Sequence, residues 1–441
     1  MLLVGLSAYT VITIPYEQAV SLWRGEGRIY IENPRNAQPE WVNYFGNNLP
    51  KTITLDSRNA GTPGVTKLIT PVTGTNIKLV RIILSFQYNY DSFPSELNIF
   101  FESRYNESAP LQKIFWVKPD GTEIKLIDYI VKGKIDQQYL SANQDININL
   151  NNYIKSLYGP QNTTYQTQTI LFANEDALSK NSEPLKGTYK LVIEGTLFGE
   201  NPDTDTRMVV YGKVHGIAGT DHLRRDLIVG ILWGTPVALA FGITASLTIS
   251  LLQLILATIS GYYGGRVDGF IQRITEIYMI LPFLPILVMI AAFYKLDIWI
   301  LLLVIIILSV FGPGVKSNRA LVMQIKEYPY IEAARAYGAS NARIVFLYII
   351  PKILPPIVPN LIAAVPSYVF LEAALAFLGL GDPQLPTWGK IINDSFTEGA
   401  LYKGYYYWVL EPALMLVLTA FAFSFLGFAL DKIINPKLKE V

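Results

Sequence analysis

The sequence predicts an α-helical polytopic membrane protein of six transmembrane helices, with an all-β, sandwich-like domain inserted outside the membrane after the first helix. Three observations carry that reading. Of 441 residues, 51% are apolar and 16% charged, a balance that makes lipid the solvent for much of the chain. Most charged residues crowd between Ser21 and Asp226, where the two signs nearly cancel. Beyond Asp226 the apolar residues return in blocks that approach or exceed the roughly 20 residues a bilayer requires.

The same counts exclude several functions. A formal net charge of +1 gives no electrostatic basis for a nucleic-acid partner. With no cysteine there is no disulfide, no zinc–cysteine site and no thiol nucleophile. The two histidines, His215 and His222, have no further ligand at suitable spacing. No Ser/His/Asp set or closely spaced acid pair suggests an enzyme.

Residues 1–23 begin MLLVGLSAYTVITIPY, without a basic segment before the apolar run or a small-residue cleavage pattern after it, and read as the first transmembrane helix. Residues 24–218 are Asn-, Thr-, Tyr- and Ile-rich short runs such as LVRIILSFQYNY, ELNIFFESRY and GTYKLVIEGTLF. They read as strands, with Asp120-Gly121 where a hairpin turn is needed. The stretch from Asn143 to Thr169, rich in Asn, Gln and Thr, reads as a long loop or an edge outside the core.

Residues 219–441 hold five further spans: Leu232–Ser260, Ile274–Ala292, Ile298–Val310, Ile357–Phe377 and Tyr407–Leu430. Six spans place both termini on one face. Arg266, Arg273, Lys316, Arg319, Lys326, Arg335, Arg343, Lys352, Lys432, Lys437 and Lys439 all fall there, which makes that face cytoplasmic in a plasma membrane. The β domain and the loop from Gly379 to Tyr406 are then outside, together with the acceptor asparagines Asn106, Asn162 and Asn393.

Between two spans, residues 326–351 include YIEAARAYGASNARIVFLYIIP. Pro329 suits a first helical turn, Glu332 and Arg335 match the two ends of a helix dipole, and Gly338 suits a left-handed cap. That predicts a helix of about two turns, then a second helix capped by Ser340 or Asn341 and running up to Pro351 and the cluster Pro355, Pro356 and Pro359. A helix so short needs a surface to pack on, either its own membrane helices or another protein.

Glu332, Ala333, Ala334, Gly338, Ile350 and Pro351 have the spacing of the EAA loop, and the chain resembles the membrane subunits of ABC importers. GTDHLRRD (219–226) is similar to that family's G-T-D-x-x-G-R-D, with Arg224 in place of the second glycine. GYYGGRVDGFIQRITE (261–276) is similar to G-Y-x-G-G-x-x-D-x-x-I-x-R-x-x-D, with Glu276 at the last position. LEAALAFLGLG followed by TWG, and the tail LDKIINPKL, continue the resemblance from Gly219 to the end, and point to the dipeptide/oligopeptide subclass of type I-like permeases.

The resemblance implies a permease subunit rather than an enzyme, forming half of a translocation path for peptides, with oligosaccharides and nickel carried by similar permeases. Glu332, Ala333, Ala334, Arg335 and Gly338 would couple it to a cytoplasmic ATPase. No G-x-x-x-x-G-K-[ST] occurs, so this chain takes no cofactor of its own, and ATP and magnesium belong on two partner ATPase subunits. A second homologous permease and an extracytoplasmic binding protein complete the set, with Asp221 and Arg225 as candidate contacts for the binding protein. Glu372, an ionisable group inside an apolar run, and the helix-bending Pro282 and Pro355 are candidates for the path or its gate. Glu276 with Arg273 reads as a structural i, i+3 pair. The alternative is a membrane-anchored surface protein whose β domain binds a ligand or an envelope partner.

Overall fold

The computed structural model describes residues 1–25, 29–106, 108–159, 165–174, 183–294, 297–382 and 385–434. It divides into a helical unit, Met1–Glu26 with Ile228–Val441, and a β unit, Gly27–Leu227. The expected limits are 24 and 218; in this division the segment from Gly219 to Asp226 goes with the β unit.

The expected single helix over residues 1–23 is two helices, α1 (Leu2–Thr13) and α2 (Tyr16–Arg24). Pro15, extended and without an N–H, separates them. Both lie in the helical unit against α5 (Leu227–Tyr263): the Trp233 Nε1–H donates to the Ile14 carbonyl at 3.2 Å, and Gly230 leaves room for the Trp23 ring, which an added Cβ would meet at 2.7 Å.

The β unit is a two-sheet sandwich with helices in its core. Strands β1 (Ile53–Asp56), β2 (Val65–Pro71), β3 (Ile77–Tyr88), β4 (Glu96–Arg104), β5 (Leu111–Val117), β6 (Glu123–Ile130), β7 (Ile135–Tyr139), β8 (Gly187–Phe198) and β9 (Asp203–Tyr211) form sheets ordered β1-β9-β4-β7 and β2-β3-β8-β5-β6, all paired antiparallel. Alternation does what the strand period dictates: Val80, Ile82, Leu84, Phe86 and Tyr88 of β3 all turn into the core. The expected hairpin closes between β5 and β6, with Gly121 at φ +88° donating to the Lys118 carbonyl and Lys118 donating to that of Thr122.

One expectation fails here. The stretch from Asn143 to Thr169 holds α3 (Gln144–Tyr158), and α4 (Thr167–Phe172) begins within it, so the domain is not all-β. The Asn143 Oδ1 caps α3 by accepting from the N–H groups of Asp145 and Ile146. Ile146, Leu150 and Ile154, four residues apart, then form a buried stripe in the core shared by both sheets. The surrounding asparagines hide that stripe from composition alone.

The helical unit continues with α6 (Gly265–Ile280), α7 (Phe283–Phe293), α8 (Ile298–Ser309), α9 (Pro313–Lys326), α10 (Pro329–Ala336), α11 (Asn341–Arg343), a π-helical turn over Ile344–Ile349, α12 (Ile350–Phe377), α13 (Trp388–Thr397) and α14 (Tyr407–Ile434). Among the described residues, three stretches, Leu227–Tyr263, Asn341–Phe377 and Tyr407–Ile434, are long and apolar enough to cross a membrane; counting the bent pairs α6–α7 (79°) and α8–α9 (48°) as one span each makes five. Large apolar side chains such as Leu251, Phe293, Ile307 and Phe425 stand exposed on these helices, as lipid-facing surfaces require.

The helix expected to stop at Pro351 continues. From Asn341 to Phe377 the chain is one helical stretch. Pro351 cannot donate to the Leu347 carbonyl and its ring crowds that oxygen; the wider π turn immediately before it absorbs the misfit.

Candidate functional site

The loop helix α10 is built as its residues demand. Pro329 opens it and Glu332 lies in its first turn, Arg335 in its last. It ends in a Schellman close: Ala339 N–H donates to Ala334 O and Gly338 N–H to Arg335 O, both at 3.0 Å, with Gly338 at φ +79°. Ile331 and Ala334 are buried against a cluster containing Leu254, Tyr262, Val322, Ile325, Ile344 and Ile349. Glu332, Ala333, Arg335 and Ala336 point the other way and are exposed, and Tyr337 is 92% exposed. Burial beside Tyr328 holds the Tyr330 phenol above its ordinary pKa. The helix thus packs on its own bundle with one face and leaves the other free for something else.

Two polar ties set the position of that helix. The Tyr262 hydroxyl donates to Asn341 Oδ1 at 2.8 Å, joining the end of α5 to the start of α11. Asp268 accepts from Arg319 Nε at 2.6 Å and from its Nη2, and from Ser260 Oγ at 2.5 Å. That bidentate pair clamps α6 to α9. Gly261 allows the approach, since a Cβ there would stand 2.8 Å from Val322 Cγ1. The Asp268–Arg319 clamp is absent from the sequence reading, where Arg319 counted only towards the charge bias. The aspartate of GYYGGRVD was the available signal. Glu276 does not face Arg273; it reaches Lys316 on α9 at 3.5 Å.

The remaining expected site residues go to different places. Glu372 is 3% exposed, with the Thr387 hydroxyl as its partner. Thr387 Oγ1 also caps α13 by accepting from Lys390 N–H. Pro282 is the N-cap of α7, at the 79° break. Pro355 lies inside α12, exposed. The TWG motif is packing: Trp388 Nε1 donates to Ile231 O at 2.9 Å, and an added Cβ on Gly234 would meet the Trp388 ring at 2.3 Å.

Asp221 and Arg225, expected at a binding-protein contact, are buried. Asp221 Oδ2 accepts from Arg225 Nε at 2.5 Å, and Asp221 Oδ1 from the N–H groups of Leu223 and Arg225. Neither carboxylate nor guanidinium is presented to a partner; together they close the turn that Thr220 and Asp226 bridge. Burial, then Asp226 and Asp221, push the Tyr30 phenol beside this turn up to about 12.

The family described as Binding-protein-dependent transport system inner membrane component matches residues 253–440. The dipeptide transport system permease protein DppC of Bacillus subtilis is 30% identical over 223 residues, covering 50% of this chain and 69% of that protein. DppC of Alkalihalophilus pseudofirmus is 33% identical over 50% of this chain and 72% of that one. The chain belongs to this permease family. The oligopeptide permease protein OppC of Escherichia coli K12 is likewise 33% identical, over 72% of its length. The permease is therefore a membrane transport subunit and not an enzyme, and its β unit lies outside the family match.

Proposed function

We propose that this permease forms half of the translocation path of an ATP-driven importer for peptides, paired with a second, homologous permease. The exposed face of α10 carries the reading. Its backbone is fixed by the Gly338 close and its inner side chains by the cluster beneath, so movement of a partner docked on Glu332, Ala333, Arg335 and Tyr337 passes directly into α5, α9 and α12. Two cytoplasmic ATPases supply that partner and hold the ATP and magnesium. An extracytoplasmic binding protein delivers cargo. The names of the relatives, dipeptide and oligopeptide permeases, support peptides as that cargo.

In this reading the chain lies in the plasma membrane with six spans, α1–α2 counted as the first. Both termini face the cytoplasm and the β unit lies outside. The break at Pro282 and the prolines in the first half of α12 let the spans alternate between outward and inward states. Glu372 borders that path.

The test is an uptake assay in cells together with affinity purification of the tagged chain. Wild type is expected to bring down a second permease and P-loop ATPases in near-equal amounts. Glu332→Ala should lose the ATPases and uptake together while still reaching the membrane. Uptake that survives both Glu332→Ala and Gly338→Val would sink the docking assignment.

A further inference from the structure

The β unit contains a cleft that nothing in the transport reading uses. It has a volume of about 560 Å³, within the roughly 300–1,000 Å³ of small-ligand pockets. It opens where β4 begins, β7 ends and α4 begins. We propose that this cleft is a binding site for a neutral saccharide.

The lining is the first argument. Ser95, Asn98, Ser141, Asn147, Gln166 and Gln168 bring amides and hydroxyls, which donate and accept, and Tyr139 and Tyr165 bring two aromatic rings. The charged residues among the described lining are Arg35 and Glu96, which stand 4.0 Å from each other; Glu96 is also held by Arg224 at 2.5 Å. Glu96, the acidic residue of the described lining, is already held by Arg224, so the ammonium of a free peptide finds no uncommitted carboxylate here. A sugar brings hydroxyl groups and an apolar C–H face, which match amides and a tyrosine ring.

Asn98 is the second. It is 1% exposed, and its Nδ2 donates to the Tyr211 hydroxyl at 3.2 Å, which in turn donates to Ile31 O. That fixes the orientation of the amide. Its Oδ1 is buried with no hydrogen-bond partner among the described residues. A buried acceptor left unmet is costly, and Asn98 lines the cleft, so a side-chain shift there would bring Oδ1 to a ligand hydroxyl. Tyr139 is directly opposite Asn98 across the β4–β7 pair, on the same face, and is 45% exposed, so a ring stands open beside the acceptor.

The full chain in lipid nanodiscs, prepared without glycoside detergent, is to be titrated with maltotriose, cellotriose, chitotriose and mannotriose by saturation-transfer NMR and calorimetry. At least one sugar should bind, and Tyr139→Ala and Gln168→Ala should each weaken it about tenfold without lowering the thermal midpoint. The same sugars coupled through their reducing ends to a carrier peptide separate two sources. Binding of the free form indicates a soluble saccharide; binding of the coupled form alone indicates a protein-linked glycan; either supports the site. No binding by any sugar in either form, binding untouched by both variants, or displacement by trialanine would overturn it. Because the cleft lies wholly within the β unit, these results and the ATPase-docking test succeed or fail independently.

Discussion

Arg224 stands at φ +67°, a left-handed backbone that costs a residue with a Cβ roughly 1–2 kcal/mol, at the position where the motif G-T-D-x-x-G-R-D has glycine. The side chain offsets the strain: Nη2 reaches Glu96, Nη1 donates to the Asn33 carbonyl at 2.6 Å, and the guanidinium lies 4.3 Å from the centre of the Tyr211 ring. All of these partners belong to the β unit. Arg224→Gly removes the contacts and relieves the backbone, whereas Arg224→Ala removes the contacts and keeps the strain. Both should lower the unfolding free energy, the alanine variant by about 1 kcal/mol more. Equal losses would show that the backbone there is not strained.

For a single element, α10 shows how much eight residues specify about themselves. Pro329, Glu332, Arg335 and Gly338 are enough to predict its start, polarity and end, because each acts on the backbone next to it. Gly338→Val puts a β-branched residue at φ +79° and should open the close. Hydrogen exchange at Tyr337–Ala339 is expected to rise by at least tenfold, about 1.4 kcal/mol of local stability. Glu332→Ala should leave exchange there within twofold while losing the ATPase. If both variants change exchange alike, Glu332 holds the helix instead of a partner. Helix α3 is the converse case, since its Asn-rich sequence looks like a loop until a sandwich core exists for Ile146, Leu150 and Ile154 to enter.

At the scale of the molecule, each unit closes its own core. The β unit buries its apolar side chains between its two sheets and α3, and the helical unit buries its own in separate clusters around α5, α8, α10 and α12. Leu150→Ala should therefore destabilise the β unit by about 2–5 kcal/mol and leave the helical unit as it was. Calorimetry is expected to show two transitions with only one displaced, and ATPase co-purification unchanged. A single transition that shifts as a whole would mean the units unfold together.

The sequence by itself determined what depends on neighbours in the chain. The apolar blocks, the hairpin at Asp120-Gly121, the caps of α10 and the motif spacings were all legible, because turns, caps and hydrophobic runs act over a few residues. Only the tertiary structure decided which side of α10 is free, that Asp268 clamps Arg319 across 51 positions of chain, and that Asp221 and Arg225 are buried against each other. It also decided that Asn98, beside a cleft, has an acceptor with no partner among the described residues. Burial and pairing at a distance depend on which surfaces the fold brings together, and no local pattern in the chain encodes that.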